Sequence, residues 1–183
     1  QADNPADTPE QIGATVAGEL GTPLDDPFAS FASFDTVPIA SASIAQACSA
    51  QTLDGESVIV KVRHAGVPEV VNQDLAIIHA LAQLIERDVP ASRPFQPVRV
   101  AKELSDSLRQ ELDFRRELGN LIRVSQNFAD SPQYAFPAPI PELSGEAVLT
   151  MSRLDGTRLS DIIDNLGSHA DDVIRMIADM YFH

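Results

Sequence analysis

The sequence predicts an α+β fold, a small antiparallel sheet accompanied by helices, on three observations. Asp54-Gly55 stands between two strand-like runs, a dipeptide that favours the tight turns joining antiparallel strands. Residues 68–87 and 98–128 repeat apolar side chains at helical spacing. Between residues 137 and 151 the chain returns to short strand-like stretches around Ser144-Gly145. The order is hairpin, two helices, two strands and further helices, with no internal repeat.

Each element has a local reason. Residues 1–10 are polar, carry two prolines and are expected to be mobile. A helix over about 8–20 starts at Thr8, whose hydroxyl can cap free backbone N–H groups, with Pro9 at the first helical position. Gly21 ends it. Phe28, Phe31 and Phe34 recur every third residue, which suggests an apolar anchor on a short helix or turn.

The loop "PIASASIAQA" then leads into a strand at 46–53 and a second strand at 57–63. In the second strand Val58, Val60 and Val62 share one face, and Ile59, Lys61 and Arg63 the other. A lysine among β-branched residues in mid-strand fits a buried charge with a partner. An edge strand protected by Lys61 and Arg63 would give the same pattern.

Helix 68–87 places Val71, Leu75, Ile78, Ala82 and Ile85 on one face. Prolines 90, 94 and 97 mark a linker. The helix over 98–128 carries Leu104, Leu108 and Leu112, continued by Leu118, Leu121 and Ile122. Residues 153–166 turn through Gly156 into a helix, and residues 170–182 begin another.

Composition narrows the function classes. With 44% hydrophobic residues, 5% aromatic and no tryptophan, the core must come from Ala, Val, Ile and Leu. A net charge of -14 argues against a general nucleic-acid or anionic-membrane surface, which needs clustered cations. Cys48 is the single cysteine, so no intrachain disulfide or cysteine metal cluster forms, and a reduced cytoplasmic setting is the simplest expectation. No apolar run reaches the roughly 20 residues of a membrane-spanning helix. The N-terminus has no basic, apolar leader and "RMIADMYFH" stops within a helical pattern, so the sequence reads as an excerpt.

"RQELDFRREL", residues 109–118, admits two readings. Glu111 with Arg115, and Arg109 with Asp113, are four apart and could form a solvated ladder of ion pairs. Asp113 and Glu117 are also four apart, however, and two like charges on one face call for a cation between them, either a lysine or a metal ion. Lys61 is one candidate. A strand lysine fixed by a helix carboxylate is how kinase-like lobes meet ATP phosphates.

The segments "FASFDTVPIASASIAQ", "LDGESVIVKVRHAGV", "ELDFRREL" with Asn120 following, and "VLTMSRLDG" together resemble the UbiB/ADCK (aarF-domain) atypical kinase-like family, over residues 9–182. The resemblance implies a kinase-like N-lobe with an Ala-rich loop and a long αC-type helix, plus the first C-lobe helices. It assigns residues 1–27 to an extension and short helix, 28–151 to the N-lobe, and 152–183 to the hinge and the start of the C-lobe.

By position it makes Ala40, Ser41, Ala42 and Ser43 the Ala-rich loop, Lys61 the strand lysine and Glu117 its partner. Glu111 and Asp113 become the ExD pair that meets a KxGQ-containing extension. Met151 to Leu154 become the hinge that bonds adenine through its backbone. Three departures stand out: "AQAC" where the family has "AQVH", Ser152 where the hinge is usually acidic, and no KxGQ element in the sequence given.

The resemblance implies a parent protein that binds ATP or ADP with Mg²⁺, its metal ligands lying outside this chain. It implies an atypical kinase or ATPase supporting isoprenoid-quinone or lipid metabolism, cytoplasmic and peripheral to a membrane, with lipid or quinone-biosynthesis proteins as partners. No catalytic-loop or metal-binding aspartate is identifiable, so the segment alone is not expected to catalyse transfer. A non-catalytic pseudokinase-like scaffold or regulatory module is the alternative. A metal-dependent hydrolase using Glu111, Asp113 and Glu117 with His64, His79 or His169 is a third reading, but the histidines lack the spacing of a helical metal site.

Overall fold

The computed structural model describes residues 6–157, 159–162 and 170–182. They form two compact units that divide between Arg153 and Leu154. In the first, a five-stranded antiparallel sheet is built from β1 (Phe31–Phe34), β2 (Ala40–Ser41), β3 (Ala45–Thr52), β4 (Ser57–Arg63) and β5 (Val148–Ser152). The order is β1-β3-β4-β5, with β2 pairing separately on β3. Helices α1 (Pro9–Leu20), α2 (Val67–Asp88), α3 (Pro97–Glu111) and α4 (Phe114–Asn127) complete the unit. The second unit contains α5 (Leu159–Ile162) and α6 (Ala170–Phe182). The α+β architecture matches the expectation.

The alternation in β4 organises the core. Val58, Val60 and Val62 are at most 1% exposed and pack with Ile12 and Val16 of α1, Phe31, Cys48 and Val148. The opposite face of the sheet meets α4, where Phe114 is buried with Ala45 and Leu149 beside Leu118, Leu121 and Met151. Burying each large side chain contributes about 1.5–3 kcal/mol before the entropy of ordering it. Lys61 therefore sits on the α4 face, half-buried, in an interior strand between Ala47 of β3 and Leu149 of β5. That removes the edge-strand reading.

Helix α1 begins at a capping box: Gln11 N–H donates to Thr8 Oγ1, and Thr8 N–H donates to Gln11 Oε1. Gly21, at φ 70°, ends it in the left-handed conformation that glycine adopts without penalty.

Three elements differ from expectation. The phenylalanine triplet does not form a helix: Phe31–Phe34 is a strand paired with β3, while Phe28 stacks on Phe34 at 4.2 Å. Pairing with β3 satisfied backbone groups that a short isolated helix would have left to solvent.

The helix expected over 98–128 is broken at Leu112 and Asp113. The freed backbone groups find distant partners, Phe114 N–H donating to the Glu146 carbonyl at 3.0 Å and Arg63 Nη1 to the Leu112 carbonyl at 2.5 Å. Of the two strands expected around Ser144-Gly145 only β5 forms. The earlier stretch holds a single bridge, Pro139 to Met151, and a 3₁₀ turn at Pro141–Leu143. Prolines 137, 139 and 141 lack the N–H that a ladder needs.

The proline-rich linker is a 3₁₀ turn over Pro90–Phe95, and it joins α2 to α3 as an antiparallel hairpin. Only Leu75 and Ala82 of the expected α2 face are buried; Ile78 and Ile85 remain exposed. The helix expected after Gly156 is described only over Leu159–Ile162, and its continuation lies outside the described residues. Among the described residues no helix is long and apolar enough to cross a membrane.

Candidate functional site

Lys61 Nζ lies 2.6 Å from Glu117 Oε2 and 4.6 Å from the centre of the Phe114 ring. The strand presents the lysine and α4 presents both partners, so the burial of Phe114 in the core sets the height of Glu117 over β4. The pair is part-exposed, 29% for Lys61 and 43% for Glu117, so water weakens its attraction. Glu117 thus fixes an extended lysine whose remaining donors stay available.

Two cavities meet at this lysine. One, of about 240 Å³, lies beneath the Ala-rich loop and is lined by Ala40, Ser41, Ala42, Ile59, Lys61 and Met151, among others. Its walls are largely apolar, as a planar heterocycle requires. The other, of about 500 Å³, is polar and holds Lys61, Glu111, Asp113, Arg116, Glu117 and Asn120. Lys61 and Ile44 belong to both.

The Ala-rich loop owes its position to local bonds. Ala40 and Ser41 pair with Ala47 and Gln46 of β3, and Ala42 N–H donates to the Ala45 carbonyl. Residues 40–43 are all exposed. Ser43 does not line the slot; it borders a separate cleft with Asp7 and His64. Met151 closes the slot from β5, whereas Leu154 lies in the second unit. Ser152 accepts a hydrogen bond from Ala138 N–H through its hydroxyl.

Asp113 has a different place from the one its spacing suggested. It does not share a helix face with Glu117 but caps α4, accepting from Arg115 N–H at 3.1 Å. Arg115 returns over the cap with a two-pronged contact, Nε to Oδ1 at 2.7 Å and Nη2 to Oδ2 at 2.8 Å. These bonds hold the Asp113 carboxyl below the usual carboxylate range. Neither expected ladder pair, Glu111–Arg115 or Arg109–Asp113, forms; Arg109 instead reaches Asn72.

Two residues escaped the sequence reading. Arg63 bonds the Leu112 carbonyl and pairs with Glu146 at 3.3 Å, stitching β4 to the break before α4. Glu19 accepts from Glu146 N–H at 2.7 Å and Ala147 N–H at 2.9 Å, holding the turn before β5. Sequence separation hid both; only the alternation of β4 placed Arg63 on the α4 face.

Among the described residues no three His, Cys, Asp or Glu side chains form a metal-binding group. Glu117 is engaged by Lys61, Asp113 by Arg115, and His64 faces Asp7; His169 lies outside the described residues. The hydrolase reading loses its ligand set.

The profile of the ABC1 atypical kinase-like domain matches residues 1–183. The chain belongs to that family. It is 37% identical over 145 residues to the "Probable protein kinase UbiB" of Aliivibrio fischeri, covering 79% of this chain and 26% of that protein. The protein of the same description from Vibrio vulnificus is 34% identical over 152 residues, 82% of this chain and 28% of the relative. The chain thus spans about a quarter of the length of these curated relatives. Among solved structures, the Rv3197–erythromycin complex from Mycobacterium tuberculosis superposes with a TM-score of 0.74 at 26% identity. That match covers 88% of this chain and 39% of the other. The sheet, the Ala-rich loop and α4 form the kinase-like N-lobe of this ABC1 domain.

Proposed function

We propose that this ABC1 segment is the nucleotide-holding half of an atypical kinase or ATPase. The observation that carries the reading is the position of Lys61, fixed by Glu117 where an apolar slot opens into a polar cleft. The purine of ATP or ADP would lie among Ala40, Ala42, Ile59 and Met151, with Lys61 meeting its phosphates. Phosphoryl transfer depends on positioning and charge neutralisation, and Lys61 supplies one positive charge toward both.

Mg²⁺ would add further neutralisation. In the cleft Glu117 is engaged by Lys61 and Asp113 by Arg115, and among the described residues no three carboxylate or histidine side chains come together, so they do not fit a magnesium cage. The segment by itself would bind nucleotide rather than catalyse transfer. Similarity to UbiB-type proteins extends the proposal to isoprenoid-quinone or lipid metabolism. A second reading, an interaction module, is favoured by the exposed apolar stripe Val70, Ile77, Leu81 and Leu84 on α2.

The test is thermal stabilisation of the full-length protein by ADP or ATP with Mg²⁺, with and without Lys61→Ala. The shift is expected in the parent and lost in the variant. Equal shifts would remove Lys61 from the site, and no shift in either would leave the interaction module.

A further inference from the structure

His64 follows β4 directly and is 3% exposed, yet its ring faces polar groups on both sides. Nε2 lies 3.0 Å from the Ala42 carbonyl oxygen and 3.5 Å from Ser41 Oγ. A carbonyl only accepts, so Nε2 carries a hydrogen and donates it. Nδ1 lies 3.3 Å from Asp7 Oδ1 without forming a hydrogen bond to it.

Asp7 is itself held in place. Its Oδ2 accepts from Ala65 N–H at 3.1 Å, and its own N–H donates to Oε1 of the buried Gln46 at 3.0 Å. One imidazole therefore joins the segment before α1 to the Ala-rich loop.

A buried histidine is often no more than a satisfied core residue. Two observations separate this one. The loop it touches is exposed at residues 40–43, tied to β3 by the pairing of Ala40 and Ser41 and by Ala42 N–H on one side only. Beside it lies an open cleft of about 580 Å³, bordered by Asp7, Ser43, Ile44, His64, Val67 and Val70 among others, so space rather than a packed element lies on that side of the loop.

We propose that His64 is a positioning residue that holds the Ala42 carbonyl, and with it the Ala-rich loop, over the slot, and that Asp7 sets the ring. Displacing the segment that carries Asp7 would loosen the loop. The N-terminal segment thereby acts as a control on nucleotide retention. This rests on the reading that the slot beneath the loop holds nucleotide.

The experiment compares His64→Gln, His64→Asn and Asp7→Ala in the full-length protein. Glutamine keeps a donor at about the position of Nε2, whereas asparagine keeps only the Nδ1 side. The first readout is hydrogen exchange of the Ala42 and His64 amides without nucleotide; the second is ADP affinity. Loss of the bond to Ala42 is expected to speed loop exchange about tenfold in His64→Asn and to weaken ADP by a similar factor.

His64→Gln is expected to stay within about twofold of the parent, since its donor survives. Asp7→Ala is expected to give a partial effect, and no added effect in the His64→Asn background. Unchanged loop exchange in His64→Asn, or equal losses in Gln and Asn, would overturn the proposal. Unchanged exchange throughout β3 and β4 shows that the fold is intact. Absence of ADP binding to the parent would count against the nucleotide reading alone, because the exchange measurement uses no nucleotide.

Discussion

Replacing Asp113 by alanine removes the cap of α4, and the structure says how much that should matter. The side chain accepts from Arg115 N–H, and its loss from an N-cap costs about 0.5–2 kcal/mol. Its charge also faces the positive end of the helix, worth about 0.3–1 kcal/mol. The ion pair with Arg115 adds little, because Arg115 is 59% exposed and such pairs contribute at most about 1 kcal/mol.

Asp113→Ala should therefore favour opening of the first turn of α4 by about 2 kcal/mol, roughly 30-fold. Asp113→Asn keeps the acceptor and should lose at most about 1 kcal/mol, roughly fivefold. Amide hydrogen exchange of residues 117–121 in the full-length protein reads this locally, without assuming that the whole chain unfolds in one step. Glu117 lies in that turn, so the same variant should loosen its hold on Lys61. If asparagine opens α4 as much as alanine, the cap is not what holds the helix and the reasoning fails.

The remaining predictions rest on other contacts. A Cβ on Gly145 would come within 1.8 Å of Glu19 Oε1, so Gly145→Ala must displace that carboxylate from two backbone N–H groups. The loss should be about 2 kcal/mol, with Glu19→Ala similar and the double variant no worse; strict additivity of unfolding free energies would contradict the geometry. Because the folded carboxyl of Asp113 titrates below its unfolded value near 3.9, its stabilisation is complete above that value and disappears as pH falls through the folded one. The thermal advantage of the parent over Asp113→Asn should therefore hold steady from about pH 7 to 5 and shrink only as pH falls below about 4, and an advantage lost already at about pH 6 would implicate another group. Burial, with a smaller contribution from the Asp35 charge, pushes the Cys48 thiol up to about 11, so a maleimide should label it only after denaturation. Glu117→Gln should alter folding stability by less than about 1 kcal/mol, since the pair is part-exposed, yet weaken ADP at least about tenfold; a large stability loss with unchanged ADP affinity would reverse that assignment.

Much of the fold was legible because its signals were local. Alternation in β4 separated the valines that meet α1 from the lysine that meets α4, and Asp54-Gly55 marked the β3–β4 turn correctly. Thr8, Pro9 and Gly21 bounded α1. What escaped depended on partners far along the chain. Nothing between residues 109 and 118 is a glycine or proline, and the helix breaks there because Arg63 donates to the freed Leu112 carbonyl while the Glu146 carbonyl accepts from Phe114 N–H. The signal was Asp113 itself, a residue that competes for backbone N–H groups and favours helix starts over helix interiors. Charge spacing brought Lys61 to the Asp113–Glu117 stretch and the resemblance chose Glu117, which Lys61 does contact, but spacing misread Asp113 as sharing that face. The bridge from Asp7 through His64 to Ala42 had no periodic signature at all.

The bond from Arg63 to the Leu112 carbonyl has a consequence for folding order. The α2–α3 hairpin leaves the sheet just after Arg63 and returns at Leu112, so the two ends of this excursion are joined by one side chain. The β3–β4 hairpin is a contact between sequence neighbours and can form early, whereas β4 must wait for β5 across the whole excursion and α4. Helix pairing within the excursion, closed at its base by Arg63, shortens the loop that β5 has to span and lowers the entropy lost on closure. The excursion can then act as a separate cooperative unit, opening and closing while the sheet that carries Lys61 stays intact.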